Sequence, residues 1–251
     1  MRKAFIPFVI AVLYITIHTA VAVAEEGAFS CQGGNRLSAK ASTELVQKVQ
    51  KAYAALSGIE ASFTQSGYML ALEMTELSSG RMWFEKPGKM KWHYFEPEEQ
   101  IFVIQNNTFW LYQIVDQQVL ISDLEEVLIS DLPVSFLLGV GDLAKDFKVL
   151  EACSNREGWA LKLQPQKKQE IKEQGAAKIG KADALQSFAL LVDRANYYPM
   201  GALVTDAGGN TTSILLSELK TDPTTTAETF STTFPKGIDV DDRREVTDKS
   251  L

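Results

Sequence analysis

From Ile59 onward the apolar residues of this chain fall on every second position, and this period restricts the fold more than any other property of the sequence. Ile59, Ala61 and Phe63 alternate with Glu60, Ser62 and Thr64; Met82 and Phe84 alternate with Arg81 and Glu85; Met90, Trp92 and Tyr94 alternate with Lys89, Lys91 and His93. A period of two belongs to a strand with one buried face. Turn signals separate the runs. Lys86-Pro87-Gly88-Lys89 has Pro then Gly at the centre of a type II turn, and Asn106-Asn107 marks a tight turn. Ile101–Ile104 is a wholly apolar run, Phe109–Ile114 is a further strand, and Val119 and Ile121 mark the next. Strands resume at Lys148–Cys153 and Trp159–Gln164 and close with Phe188–Val192, Gly201–Thr205 and Thr211–Leu219, the last hairpin turning at Asp206–Asn210. Phe230, Phe234, Pro235, Ile238 and Val240 suggest a final edge segment. Many short antiparallel strands with short connections predict a barrel or a sandwich.

Helical periodicity is confined to two places. Ser42 or Thr43 is placed to cap a helix whose Leu45, Val46, Val49, Ala52, Tyr53 and Leu56 recur at three- and four-residue steps, stopped at Ser57-Gly58. Leu132-Pro133 can begin a second, short helix carrying Val134, Phe136, Leu137, Leu138, Val140 and Leu143, which is more apolar than a surface helix requires. The charged stretch Gln166–Lys181 has no apolar face and reads as an exposed loop or a lightly held helix. The fold class is therefore mainly β with α.

The N-terminus reads as an export signal. Arg2 and Lys3 precede an apolar run over Ala4–Ala20, and Ala22-Val23-Ala24 gives the small-x-small cleavage pattern before Glu25-Glu26. The expected organisation is a cleaved signal peptide over 1–24, a flexible arm over 25–41, one folded domain over 42–240 and a polar tail over 241–251. Export to an oxidising compartment makes a disulfide between the two cysteines, Cys31 and Cys153, the default reading. With 25 basic against 32 acidic side chains and a net charge of −7, the chain is not built for nucleic acid or for an anionic membrane surface.

Catalytic and metal templates are missing. The sequence has no G-x-S-x-G, C-x-x-C, H-E-x-x-H or phosphate-loop pattern. Past the signal the one histidine is His93, placed by alternation on a solvent face between lysines, which leaves no histidine pair for a metal. No enzyme, no metal and no cofactor are expected. What remains is an apolar face of aromatics and methionines, Phe63, Met82, Phe84, Met90, Trp92 and Tyr94, on strand after strand. A strongly curved sheet with few helices to fill it can leave a pocket, and Met side chains would line one adaptably.

The order of several short motifs resembles the LolA family of outer-membrane lipoprotein carriers. They are Ala61-Ser62-Phe63-Thr64-Gln65, Gly80-Arg81-Met82-Trp83-Phe84-Glu85-Lys86-Pro87 leading to Trp92 and Pro97-Glu98-Glu99, Thr108-Phe109-Trp110-Leu111-Tyr112, and Phe234-Pro235-Lys236-Gly237-Ile238-Asp239-Val240-Asp241-Asp242. The resemblance implies an incomplete antiparallel β-barrel, covered by an α-helical lid, around an apolar cavity. It implies a monomeric periplasmic carrier that receives acylated lipoproteins from an inner-membrane ABC transporter complex and passes them to an outer-membrane acceptor. Under it, Phe63, Met82, Phe84, Met90, Trp92, Tyr94, Ile101 and Val103 would line the acyl-chain cavity, and Leu132, Val134, Phe136, Leu137 and Leu138 would form the lid. Lys86 stands where the family commonly has an Arg that ties barrel to lid carbonyls. The charged 166–181 stretch is longer than the family's usual connection, and the cysteine pair is not a family hallmark. Two other readings fit the same barrel: a lipid-responsive envelope sensor module, and a carrier of another lipid such as a glycolipid.

Overall fold

The structure is a computed structural model and describes residues 27–124, 142–166 and 185–244. Strand β1 (Asn35–Arg36) precedes helix α1 (Ala39–Ala55). Six strands follow in a meander: β2 (Gly58–Met69), β3 (Met74–Glu85), β4 (Lys89–Glu96), β5 (Gln100–Gln105), β6 (Thr108–Gln113) and β7 (Gln118–Asp123). A one-turn helix α2 (Leu143–Asp146) leads into β8 (Phe147–Ser154), β9 (Trp159–Pro165), β10 (Leu185–Val192), β11 (Pro199–Asp206) and β12 (Thr211–Thr221), and β13 (Asp239–Asp242) comes last.

All of these strands join one sheet in the order β1-β8-β9-β10-β11-β12-β2-β3-β4-β5-β6-β7-β13. The two ends do not meet, so the sheet is an unclosed barrel, as the resemblance implied. Neighbours are antiparallel except β13, which runs parallel to β7.

Cross-strand register sorts the side chains into two faces. On the concave face lie Ile59, Phe84, Met90, Ile104 and Phe109 in one row and Ala152, Leu161, Leu190, Ala202 and Ile214 in another. Helix α1 adds Leu45, Val46, Val49 and Tyr53, and all but the half-buried Phe109 and Ile214 are buried in one core. Gly80 is needed here because a Cβ would run into the His93 carbonyl and the Phe63 ring.

Helix α1 starts earlier than its sequence suggests. Ser38 is the cap, its Oγ accepting from the Ala41 N–H at 3.3 Å. Ser42 and Thr43, the expected caps, lie inside the first turns and donate to the carbonyls of Ser38 (2.9 Å) and Ala39 (3.1 Å). Three near-adjacent hydroxyl residues all satisfy the cap preference, and Ser38 is the one that directly follows the last β8 contact, Leu37 N–H to the Ala152 carbonyl at 2.8 Å.

The first described residues and the segment after β12 pack on the convex face. Residues 27–38, expected as part of a flexible arm, are held down. Ala28 and Phe29 pack on Ala189 and Leu191, Cys31 is bonded to Cys153, and β1 pairs with β8. The Asn155 side-chain amide ties the same segment by donating to the carbonyls of Ala28 (2.7 Å) and Ser30 (3.1 Å). After β12 the chain crosses the outside of β4–β6, where the Lys89 ammonium lies 5.6 Å from the Phe230 ring centroid and Phe234 meets Tyr112 edge-on at 5.3 Å. Asp241 and Asp242, expected in the polar tail, then pair with Leu120 and Ile121 as part of β13.

The β2–β3 hairpin is longer than its sequence suggests, with twelve residues in each strand. Its outer end carries exposed Met69, Leu70, Leu72, Met74 and Leu77.

Candidate ligand-binding interior

The concave face of β2–β6 collects most of the expected cavity residues. Phe63, Met82, Phe84, Met90 and Trp92 are each no more than 4% exposed. Phe63 is the hub of a ring cluster, with centroids 4.5 Å from Trp92 and 4.9 Å from Tyr94, and Trp92 stacks on Phe102 at 5.8 Å. Tyr94 closes one end of this wall half-buried, its hydroxyl donating to Gln65 Oε1 at 3.0 Å, and burial pushes its phenol up to about 12.

Ile101 and Val103 are a correction. They pair with His93 and Lys91 and so face outward, where the Lys91 ammonium lies 5.5 Å from the Trp83 ring centroid and burial lowers its pKa. The inward positions of β5 are Phe102 and Ile104, opposite Trp92 and Met90. Ile101–Ile104 has no polar residue to mark its outer face, because the crossing C-terminal segment helps cover that side as well. The alternation that orients β4 therefore has no counterpart in β5. The signal that could have found the two residues is the register itself, counted back from Asn106-Asn107.

The opposite half of the sheet contributes Phe188, Leu190, Pro199, Ala202, Ile214 and Leu216. With Met82 and Trp92 they line a cavity of about 20 Å³ in which no polar atom is exposed. That volume is close to one water site and holds no acyl chain. A wider cleft of about 520 Å³ lies between α1 and β8, its lining mixing Val46, Phe147 and Val149 with Arg36, Lys148 and Glu151. Helix α1 covers part of the concave face, with the Tyr53 ring stacked 6.0 Å from Phe84. The proposed lid residues Leu132, Val134, Phe136, Leu137 and Leu138 lie outside the described residues. Leu143, at the end of that segment, is buried, and its N–H donates to Gln50 Oε1 of α1 at 3.0 Å.

Lys86 does grip helix carbonyls, and they belong to α1. Its Nζ donates to Tyr53 O at 2.5 Å and to Ala54 O at 3.3 Å, and sits 4.8 Å from the Tyr53 ring centroid. A cation over the last carbonyls of a helix is favoured by the helix dipole. Partial burial lowers the Lys86 pKa, and nearby Asp222 works against that shift. Asp222 in turn accepts from Ser57 N (2.6 Å) and Ser57 Oγ (2.7 Å), which holds its carboxyl below the usual range. The end of α1, the start of β2 and the end of β12 are thus tied at one point.

Two indole nitrogens are left over. Trp92 Nε1 and Trp159 Nε1 are buried and have no hydrogen-bond partner among the described residues. A buried donor in that state costs about 1–3 kcal/mol. Sequence reading gives Trp92 a place on the wall but no polar role, since an indole among aromatics reads as apolar.

An open antiparallel half-barrel wrapped around a helix and an apolar interior belongs to the class of β-proteins that enclose apolar ligands. Residues 54–233 match the family model described as outer membrane lipoprotein carrier protein LolA. A relative from Cupriavidus taiwanensis named outer-membrane lipoprotein carrier protein is 30% identical over 81% of this chain and 90% of its own length. One of the same name from Nitrosomonas europaea is 27% identical over 72% of this chain and 81% of its own. The chain belongs to the LolA family. The fold is also shared with a solved, uncharacterised conserved protein from Thermus thermophilus, at 17% identity and a TM-score of 0.50 over 81% of this chain and 99% of that one.

Proposed function

We propose that this protein is a periplasmic carrier that takes acylated lipoproteins released by an inner-membrane transporter, shelters their acyl chains on its concave face, and delivers them to the outer membrane or an acceptor there. The observation that supports it most is the joining of family membership with a largely apolar, ring-lined interior among the described residues. Export is consistent with the Cys31–Cys153 bond, which suits an oxidising compartment. No covalent step belongs to this reading.

The energetics set what the barrel must do. Burying a sixteen-carbon chain is worth about 12 kcal/mol at about 0.8 kcal/mol per methylene. A carrier must offer comparable apolar contact for the chain to leave a bilayer. The cavity of about 20 Å³ among the described residues cannot, and loading parts the two halves of the sheet and shifts α1. Met82 and Met90 then re-pack around chains of different length. Lys86 keeps the C-terminal end of α1 as the fixed point of that motion while its N-terminal end, tied through β1 to β8 beside the cleft of about 520 Å³, travels with that strand.

The test is a release assay. Inner membranes charged with a radiolabelled lipoprotein and their transporter are incubated with ATP and the purified mature protein. Lipoprotein should appear in the soluble fraction as a complex with the carrier. If it stays in the pellet while another carrier of the family extracts it, the reading is wrong.

A further inference from the structure

Among the described residues, the interior of the half-barrel holds two buried hydrogen-bond donors without an acceptor. Trp92 Nε1 on β4 and Trp159 Nε1 on β9 are closed off from solvent and lack a partner among the described residues. Trp92 is 4% exposed and lines the small cavity opposite Phe188, Leu190 and Ile214. Trp159 enters the same core from the other half of the sheet, level with Val192. Tyr94 shows that the fold can pair a buried polar group when one is available, because its hydroxyl has Gln65. Bare buried donors are rare in native proteins, and each one asks for an explanation.

The missing acceptor is constrained by its surroundings. A water in that space would need two to four polar partners, and the wall of the cavity exposes no polar atom. A phosphate, a sugar hydroxyl or an amine would have to give up its hydration for an apolar wall. An ester carbonyl is different. Its own hydrocarbon chain carries it inward, and it brings an acceptor with no donor that would itself need pairing.

We propose that the indole N–H of Trp92 hydrogen-bonds an acyl-ester carbonyl of the cargo, with Trp159 donating to a second carbonyl, so that the interior selects ester-linked chains over ether-linked or plain hydrocarbon ones. This rests on the carrier reading and adds to it a specificity and a depth. The carbonyl marks how far each chain slides along the wall of rings. Before loading the two donors are unsatisfied, and an ester satisfies them, so the preference is built into the protein that meets the cargo.

The full mature protein, labelled with ¹⁵N at its indoles, is titrated with dioctanoylglycerol and with the dioctyl diether of glycerol. Binding is followed separately by displacement of an apolar fluorescent dye. Both lipids should displace the dye, the diester about tenfold more tightly. The indole proton missing from the Trp92→Phe spectrum should move downfield with the diester alone. Trp92→Phe should cut the preference to about threefold, and Trp92→Phe with Trp159→Phe should bring the two lipids to parity, with little change for the diether. Should either variant fail to fold, 3-benzothienylalanine at the same positions keeps the ring shape without the N–H, and must reduce the preference in the same two steps. Equal affinities, or the same indole shift with both lipids, would overturn the proposal and leave the carrier reading intact. If neither lipid displaces the dye, the carrier reading falls and takes this inference with it.

Discussion

Met90 is where a single charge probes the interior most directly. Its side chain is 1% exposed and faces Phe84 and Ile104 across the neighbouring strands. Met90→Glu places a carboxyl there, and burial raises the pKa of such a group by up to about 3–5 units. From an unfolded value of about 4.3 the folded value then lies at about 7 or above. The penalty has a ceiling, because the group can take up a proton. At pH 7 that ceiling is about 3.7 kcal/mol, and at pH 5 about 1 kcal/mol. The sign follows from the raised folded pKa: the burden is absent below about pH 4.3 and grows as pH rises toward the folded value. Lost Met packing adds about 1–2 kcal/mol at either pH. At pH 5 the sum is about 2–3 kcal/mol, below the stability of an ordinary domain, about 5–15 kcal/mol, so the variant folds there, and at pH 7 the sum rises to about 5–6 kcal/mol. Its melting temperature should fall from pH 5 to pH 7 by about 5–10 °C more than the wild type's does. At pH 7 the release assay should show no soluble lipoprotein, since the carboxyl, protonated or ionised, puts an unpaired polar group where the acyl chains go. A variant with wild-type melting at both pH values and wild-type release would refute the placement of Met90 in an apolar cargo site.

Three further outcomes test other parts of the structure. Lys86→Ala removes the cation over Tyr53 O and Ala54 O, and amide exchange in the last turn of α1 should quicken about tenfold, whereas exchange confined to its old rate there would make Lys86 an ordinary turn lysine. Cys31→Ser with Cys153→Ser opens a link spanning 122 positions and should cost about 4–5 kcal/mol, read as an earlier denaturant midpoint; an unchanged midpoint would show that the outer packing of Phe29 holds the arm unaided. Phe102→Asp should abolish lipoprotein release, while its neighbour Ile101→Asp should retain most of it, and the reverse result would invert the register of β5.

How far the sequence reveals this fold depends on whether polar residues mark the outside of a strand. In β4 they do: Lys89, Lys91 and His93 face out, and the inward placement of Met90 and Trp92 follows. In β5 they do not, and Ile101 and Val103 read as inward residues although they face out. The long β2–β3 hairpin is legible only at its inner end, where Phe63 and Met82 alternate with polar partners. Farther out, Gln65 and Ser78 turn the inner face polar, and the tip exposes Met69, Leu70, Leu72 and Met74 with Glu73 and Glu76 among them. The disulfide is suggested by compartment alone, yet what it fastens, an arm folded over the outside of the sheet, depends on contacts between residues more than a hundred positions apart. Lys86 stands out only by likeness to the family. Its real partner helix could not be told from sequence, because both helices offer C-terminal carbonyls and only the path of the chain decides which lies over the turn.

The two ends of the unclosed sheet carry a further consequence. A barrel that must widen for cargo cannot be sewn shut, and an unsewn sheet presents bare backbone that invites other strands to pair with it. Here the chain's own extremities serve as selvedges: β1 finishes the β8 side with two residues and β13 finishes the β7 side with four. Each travels with the half it borders. The bare margin of each half is thereby shortened, whatever the width of the gap between them.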